Sequence, residues 1–249
     1  MESSTRKKIE RFVAENIVEF HKNRLGKLRK LKLMTVLRKK NPYLFRAKNI
    51  TTAANLVESI LDAFLSASEE GQFGTFLEHL AIYVAQITCG GTKSSAEGID
   101  LELKKDGVRY LVAIKSGQNW GNSGQHRNLK DNFRKAVRVL KQSKSVDHVQ
   151  PVLGICYGKF KTKNTGEYLK IGGQSFWHFI SGDKKLYIDL IEPLGYEAKK
   201  HNESYLKEKV ETYNRFTRDF LNDFCKPSGE IDWSKLVKFN SGNLPESTR

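Results

Sequence analysis

Gly98-Ile-Asp-Leu-Glu-Leu-Lys-Lys-Asp-Gly-Val-Arg-Tyr-Leu-Val-Ala-Ile-Lys-Ser116 reads as one β-hairpin. Asp106-Gly107 supplies its turn, because a two-residue type I′ connection needs φ > 0 at both central positions and Asp-Gly tolerates that. With Lys105 and Val108 flanking the turn, the register pairs Glu102 with Leu111 and Asp100 with Ala113. Lys115 falls one pair further, diagonal to Asp100. Opposed Cβ atoms in such a ladder lie about 4.5–5.5 Å apart and diagonal ones about 7–8 Å. Period-two alternation then gathers Asp100, Glu102, Ala113 and Lys115 on one face, with Ile99, Leu101 and Leu103 on the other. Patterning alone favours an ordinary solvated hairpin face.

Outward from the hairpin the chain is mainly helical. A helix over 5–25 carries Ile9, Phe12, Val13, Ile17 and Phe20 as its apolar stripe, with Thr5 as N-cap and Gly26 as its end. A basic linker or short helix covers 27–40, and Asn41-Pro42 marks a turn. Two further helices are expected, one capped by Thr51 or Thr52 and running to Ser66, the other from Gln72 to Thr88. After the hairpin, 118–127 is a polar loop, and Asn128 caps a basic amphipathic helix to Gln142. Val149–Tyr157 has the length and composition of a strand. Short helices are expected over 176–180 and 186–191, and a long one over 203–224 with Leu206, Val210, Tyr213, Phe216, Phe220 and Phe224 inward. The tail from Lys226 is loose apart from Trp233, Leu236 and Phe239. This order gives an α/β (α+β) fold, a mixed central sheet flanked by helices. The expected division is a basic helical region at 1–69, a core at 70–160 and a mostly helical remainder at 161–249.

Charge narrows the partner. The 249 residues carry 43 Lys and Arg against 28 Asp and Glu, a net charge of +15. Residues 1–50 alone hold 15 Lys/Arg and 4 Glu. So lopsided a balance suits a polyanion, and nucleic acid above all, since each phosphate neutralised releases counterions. No run of about 18 apolar residues and no signal-peptide pattern is present, so a cytoplasmic location is expected. Three scattered cysteines without CxxC spacing read as reduced thiols rather than a zinc site.

Two local features single out the charged hairpin face. Lys115 is followed by Ser116, Gly117, Gln118, Asn119, Trp120, Gly121, Asn122, Ser123, Gly124 and Gln125, a loop dense in hydrogen-bonding side chains. With Arg127 and with Lys93 of the Gly90-Gly91-Thr92-Lys93-Ser94 turn, the polar side chains and Trp120 are candidate DNA contacts. The preceding helix carries Glu78 on the side it shares with Gly74, Ala81, Ile82 and Ala85, an unusual place for a carboxylate.

These residues resemble the PD-(D/E)xK nuclease superfamily, and within it the type II restriction endonucleases. Gly98-Ile99-Asp100 matches the context of the first acid, and Ala113-Ile114-Lys115 that of the second acid and the lysine. The resemblance covers about residues 70–160 and follows an αβββαβ order if one more strand is present. The segment from Phe176 to Gly195 also looks like the later half of such an enzyme. The family pattern implies Mg²⁺-dependent hydrolysis of double-stranded DNA at a short specific site, by a homodimer in a prokaryotic cell. Asp100 would be the principal metal ligand, with Glu78 or Glu102 beside it and Lys115 at the reacting water.

The departure is Ala113, which stands where the second acid is usual and offers no ligand. Either the carboxylate has migrated, with Glu78 favoured over Glu102, or Ala113 replaces an acid in an inactive protein. A DNA-binding protein without catalysis, and a repair or transposition nuclease, are the alternatives these observations leave open.

Overall fold

The computed structural model describes residues 1–142, 148–196 and 198–243. Ten helices and six strands are formed among them: α1 Ser3–Arg29, α2 Leu33–Leu37, α3 Pro42–Ala47, α4 Ala53–Cys89, β1 Thr92–Lys93, β2 Leu101–Lys105, β3 Val108–Gly117, α5 Ser123–Gln142, β4 Val149–Tyr157, β5 Lys163–Asn164, β6 Leu169–Gly172, α6 Gln174–Ser181, α7 Leu186–Asp189, α8 Ile191–Gly195, α9 Ala198–Phe224 and α10 Trp233–Ser241. The strands form one mixed sheet in the order β1-β2-β3-β4-β6-β5. Strands β3, β4 and β6 run parallel, while β1, β2 and β5 add antiparallel pairs. The mixed sheet flanked by helices is the architecture expected from the sequence.

The hairpin has the register its turn dictates. Lys105 opposes Val108, Glu102 opposes Leu111, and Leu101 opposes Val112. Asp106 and Gly107 have φ of 50° and 77°, the left-handed pair that a type I′ turn requires. The additional strand needed for the αβββαβ order is β1, formed by Thr92 and Lys93 against Glu102 and Leu101. The Gly90-Gly91 turn therefore delivers an edge strand, too short to be recognised from two residues. Helix α4, strands β1 to β3, helix α5 and strand β4 complete the order.

Several boundaries differ from the sequence reading, each for a local reason. Helix α1 continues through Gly26, whose cost of about 1 kcal/mol in a helix interior is offset by burial of Leu28 beyond it. The two helices expected over 51–88 are one, α4, because nothing in the Ser66–Gln72 stretch interrupts backbone hydrogen bonding. Thr52 caps it, its hydroxyl accepting from the Asn55 amide at 3.2 Å. Asn41 is not a turn residue but the N-cap of α3, accepting from the Tyr43 and Leu44 amides with Pro42 in the first turn. Helix α5 begins at Ser123 rather than after Asn128. Asn122 and Gln125 exchange side-chain-to-backbone bonds of 3.0 and 2.9 Å, a reciprocal cap inside the stretch read as loop. In α9 the buried stripe is Tyr205, Thr212, Phe216, Phe220 and Phe224, while Leu206 and Val210 are exposed. The tail forms α10, capped by Asp232 on the Lys235 amide.

The chain divides into two compact units. One comprises Met1–Phe20 with Phe73–Tyr196, the other His21–Gln72 with the described part of Glu197–Arg249. Boundaries at 69/70 and 160/161 follow chain order, whereas the units interleave early and late segments. The first unit holds the sheet between two apolar layers. On one face Ile9, Val13 and Ile17 of α1, Leu77, Leu80 and Val84 of α4, and Phe176 and Ile180 of α6 pack on Leu101, Leu103, Val112 and Ile114. On the other, Leu129, Phe133 and Ala136 of α5 pack on Leu111, Ala113, Leu153 and Ile155. The second unit has its own core, built by Leu28, Val36, Leu56, Ile60, Phe216 and Phe220.

Candidate active site

The open end of the hairpin is arranged differently from a plain ladder. Strand β2 starts at Leu101, so Asp100 lies just beyond its end. Its amide still donates to the Val112 carbonyl at 2.9 Å. Its carboxylate turns in to accept from the Ile114 amide at 2.6 Å. The side chain thus takes the place that the next main-chain carbonyl of β2 would have filled. Departure from the strand also explains Ile99. Instead of sharing the face of Leu101 and Leu103, it packs with Leu111 and Ala113 under α5. Strict alternation fails there because Asp100 is not in the ladder.

Lys115 Nζ stands 4.0 Å from Asp100 Oδ2 and 5.4 Å from the centroid of the Trp120 ring. A partly buried lysine held between a carboxylate and an aromatic face has little freedom to leave either. Trp120 is itself fixed edge-on to His126, with centroids 4.9 Å apart. The loop after Lys115 therefore steadies the lysine besides presenting polar groups.

Glu78 arrives from α4. Gly74, one turn earlier, permits the approach, since a Cβ there would sit 3.3 Å from Ser116 Oγ. Burial pushes the Glu78 carboxyl above its usual range, and the negative charge of Asp100 pushes it further, against the pull of Lys115, His79 and Lys93. Asp100 is likewise raised by burial, offset by the Ile114 amide, Lys115 and Lys93. Cys156, buried on β4, has its thiol pushed up to about 12, first by burial and then by Glu78 and Asp100. The sheet end thus holds two carboxylates, each short of compensating charge, within electrostatic reach of each other and of one lysine.

The remaining sequence candidates divide. Glu102 shares the strand face but is spoken for: Arg109 donates to it through Nη2 at 2.6 Å and Nε at 3.1 Å, and Ser94 Oγ donates at 2.7 Å. It is not brought to the Asp100 end. Ala113 is fully buried inside the apolar layer under α5, so no open space lies above it. Lys93 sits on edge strand β1 beside the carboxylates. Ser116 adjoins α4 at Gly74, and Gln118 packs on Gly158. Asn119, Ser123 and Arg127 are exposed near the start of α5. Asn122 and Gln125 are also exposed, with side chains engaged in the helix cap. Trp177, in the segment after β6, is a core residue whose indole donates to the Cys156 carbonyl at 2.8 Å.

No group of three or more His, Cys, Asp or Glu converges among the described residues. Two carboxylates can still suffice for a hard divalent cation. Mg²⁺ is commonly held by one or two carboxylates, with waters and substrate phosphate completing its shell. Half-buried acids whose proton affinity is raised by burial, and in Glu78 also by the charge of Asp100, gain from such a cation. Asp100 and Glu78 fit that role, and Glu102, already neutralised by Arg109, fits it poorly.

Two features here could not have been found from residue spacing. One is the diversion of Glu102 into an ion pair, which depends on the cross-strand diagonal to Arg109. The other is the departure of Asp100 from the ladder. A family model described as type II restriction endonuclease EcoO109I matches residues 7–202 of the chain. No curated protein matches it.

Proposed function

Because the chain belongs to the type II restriction endonuclease EcoO109I family, we propose that it hydrolyses phosphodiester bonds of double-stranded DNA at a short specific site, using Mg²⁺ held by Asp100 and Glu78. The observation that carries this reading is the convergence of Asp100, Glu78 and Lys115 at the open end of the hairpin. When bound, Mg²⁺ supplies positive charge against the phosphate and a water of lowered pKa. The protein groups do the rest. Asp100 is fixed through Oδ2 by the Ile114 amide, and its other oxygen, Oδ1, is the atom that would meet the cation. Lys115 Nζ, adjacent to Asp100, orients the attacking water and offsets charge that grows on the phosphoryl oxygens. The water oxygen forms the new bond to phosphorus as the ester oxygen leaves and takes up a proton. Glu78 provides the carboxylate that position 113 lacks.

A homodimer is the economical assembly for a palindromic site, since two-fold symmetry matches two strands to two centres. The basic N-terminal helices are suited to gripping the phosphate backbone or building the dimer, in a prokaryotic cytoplasm as part of restriction-modification. The test is digestion of phage DNA with Mg²⁺, beside Asp100→Asn and Lys115→Ala. Discrete bands that vanish in both variants support the reading. Ala113, buried and without a ligand atom, favours one rival, a DNA-binding protein with an incomplete centre. A gel shift without cleavage at any divalent cation concentration supports that rival instead.

A further inference from the structure

We propose that the cleft at the ends of β4 and β6 holds the nucleotide adjacent to the scissile phosphodiester, with Tyr157 positioning it and Lys159 contacting its phosphate. This assignment rests on the endonuclease reading above and deepens it. The cleft has a volume of about 600 Å³ and is lined by Tyr157, Lys159, Gln174, Ser175 and Tyr187, among others. Small-ligand sites span about 300–1,000 Å³, so one nucleotide unit of a strand fits.

Position argues first. Strands β3 and β4 run parallel, with Lys115 opposite Ile155 and Gly117 opposite Tyr157. A step of two residues, roughly 6–7 Å along the strand, leads from the candidate catalytic lysine to the level of Tyr157. Gly117 leaves its side-chain space to the tyrosine, whose hydroxyl lies 2.6 Å from where a Cβ would be. Cys156, a buried part of the cleft wall, is the residue whose thiol feels both Asp100 and Glu78.

Chemistry argues second. Strand β4 is buried from Val152 through Cys156, yet Tyr157 is 56% exposed. A strand that ends an apolar run on an exposed aromatic beside a carboxylate centre offers a stacking or hydroxyl contact to a base or sugar. Lys159 supplies a cation, Ser175 and Tyr187 supply hydroxyls, and the start of α6, which favours anions, forms part of the wall. The cleft on α5 around Glu97 and Asp131 is of similar size, about 660 Å³, but presents carboxylates already paired with Lys135 and Arg134. A polyanion is better received between β4 and α6.

The experiment uses the full chain with Tyr157→Ala, Tyr157→Phe and Lys159→Ala, and a phage DNA fragment that the wild type cuts. Binding is read by gel shift in Ca²⁺ over a salt series, and cleavage by single-turnover rate in Mg²⁺ at saturating protein. Lys159→Ala is expected to reduce the slope of log affinity against log salt by about 0.9, the signature of one lost phosphate contact. Tyr157→Ala is expected to slow cleavage about ten- to a hundred-fold with affinity changed less than three-fold, and Tyr157→Phe to separate ring from hydroxyl. Wild-type slope and wild-type rate in these variants overturn the assignment while leaving the endonuclease reading intact. A wild-type chain that cuts no DNA overturns both, a pattern distinct from the first.

Discussion

The two ends of the β2–β3 hairpin hold acids of nearly equal burial and opposite condition. Toward the turn, the Glu102 side chain is 16% exposed and satisfied by Arg109 and Ser94. At the open end, Asp100 is 19% exposed and meets one backbone amide and a lysine 4.0 Å away. Burial is therefore not what sets the two apart; compensation is. A carboxylate with two guanidinium N–H donors on one oxygen and a hydroxyl on the other is structural, because its ionised form is already stabilised. A carboxylate kept out of water with a second acid near it is costly without a cation, and such under-compensated groups gather at functional sites.

The largest expected effect breaks that contrast at its sharp end. Asp100→Asn keeps an acceptor for the Ile114 amide but removes the charge. Cleavage of phage DNA is expected to fall by about 10³-fold or more, with the thermal unfolding midpoint unchanged or higher. Lys115→Ala follows, at about 10²-fold, the lower range for a proton-transfer or charge-offsetting group. Both are measured as single-turnover rates in Mg²⁺ on one DNA fragment. An Asp100→Asn protein that cuts at the wild-type rate removes the open end as the reaction centre.

Glu78 and Ala113 sharpen the comparison. If Glu78 is the second carboxylate, Glu78→Gln lowers activity about 10²-fold and weakens the dependence of the melting temperature on added Mg²⁺. A ligand at a hundred times its Kd stabilises the folded state by about 2.7 kcal/mol, so that shift is measurable in wild type. Ala113→Glu, placed inside the apolar layer under α5, is expected to destabilise the chain without raising activity. Activity gained only in Ala113→Glu means that position 113, not Glu78, completes the centre.

The same two acids make a pH prediction. Both Asp100 and Glu78 have proton affinities raised by burial. The folded chain therefore holds more protons than the unfolded one between the ordinary carboxylate range and the raised values. Their contribution to stability is present below that window and is lost as pH rises through it. Without divalent cation, wild type is expected to lose stability across the window more steeply than Glu78→Gln, as read from denaturant midpoints. Mg²⁺ should remove most of the difference at neutral pH.

What the sequence disclosed, and what it hid, follows from the range of each interaction. The hairpin register was legible because Asp106-Gly107 restricts φ locally and period two carries that restriction along both strands. Helix α4 was legible as apolar stripes but not as one helix, since the polar Ser66–Gln72 stretch is neutral between continuing and breaking. Edge strand β1 was hidden because two residues carry no period; it exists by pairing with Leu101 and Glu102. In the site, Asp100, Lys115 and Glu78 could be named from spacing and residue type. The fate of Glu102 could not, because it rests on Ser94, eight residues before it, and Arg109, seven residues beyond it across the turn.

The smallest effect is expected at that satisfied end, and it is the one that decides whether compensation is the right distinction. Glu102→Gln leaves the side-chain shape but removes the charge that Arg109 and Ser94 were placed to meet. Hydrogen bonds to charged groups are worth about 1.5–3 kcal/mol, and partial solvent access around Arg109 lowers the loss to about 1–2 kcal/mol. The denaturant midpoint should fall accordingly, and the cleavage rate in Mg²⁺ should stay within three-fold of wild type. A Glu102→Gln protein as stable as wild type but slow in cleavage would show that Glu102 leaves Arg109 to join the reaction centre. The acid two residues from Asp100 would then be a ligand, and Glu78 would lose its claim.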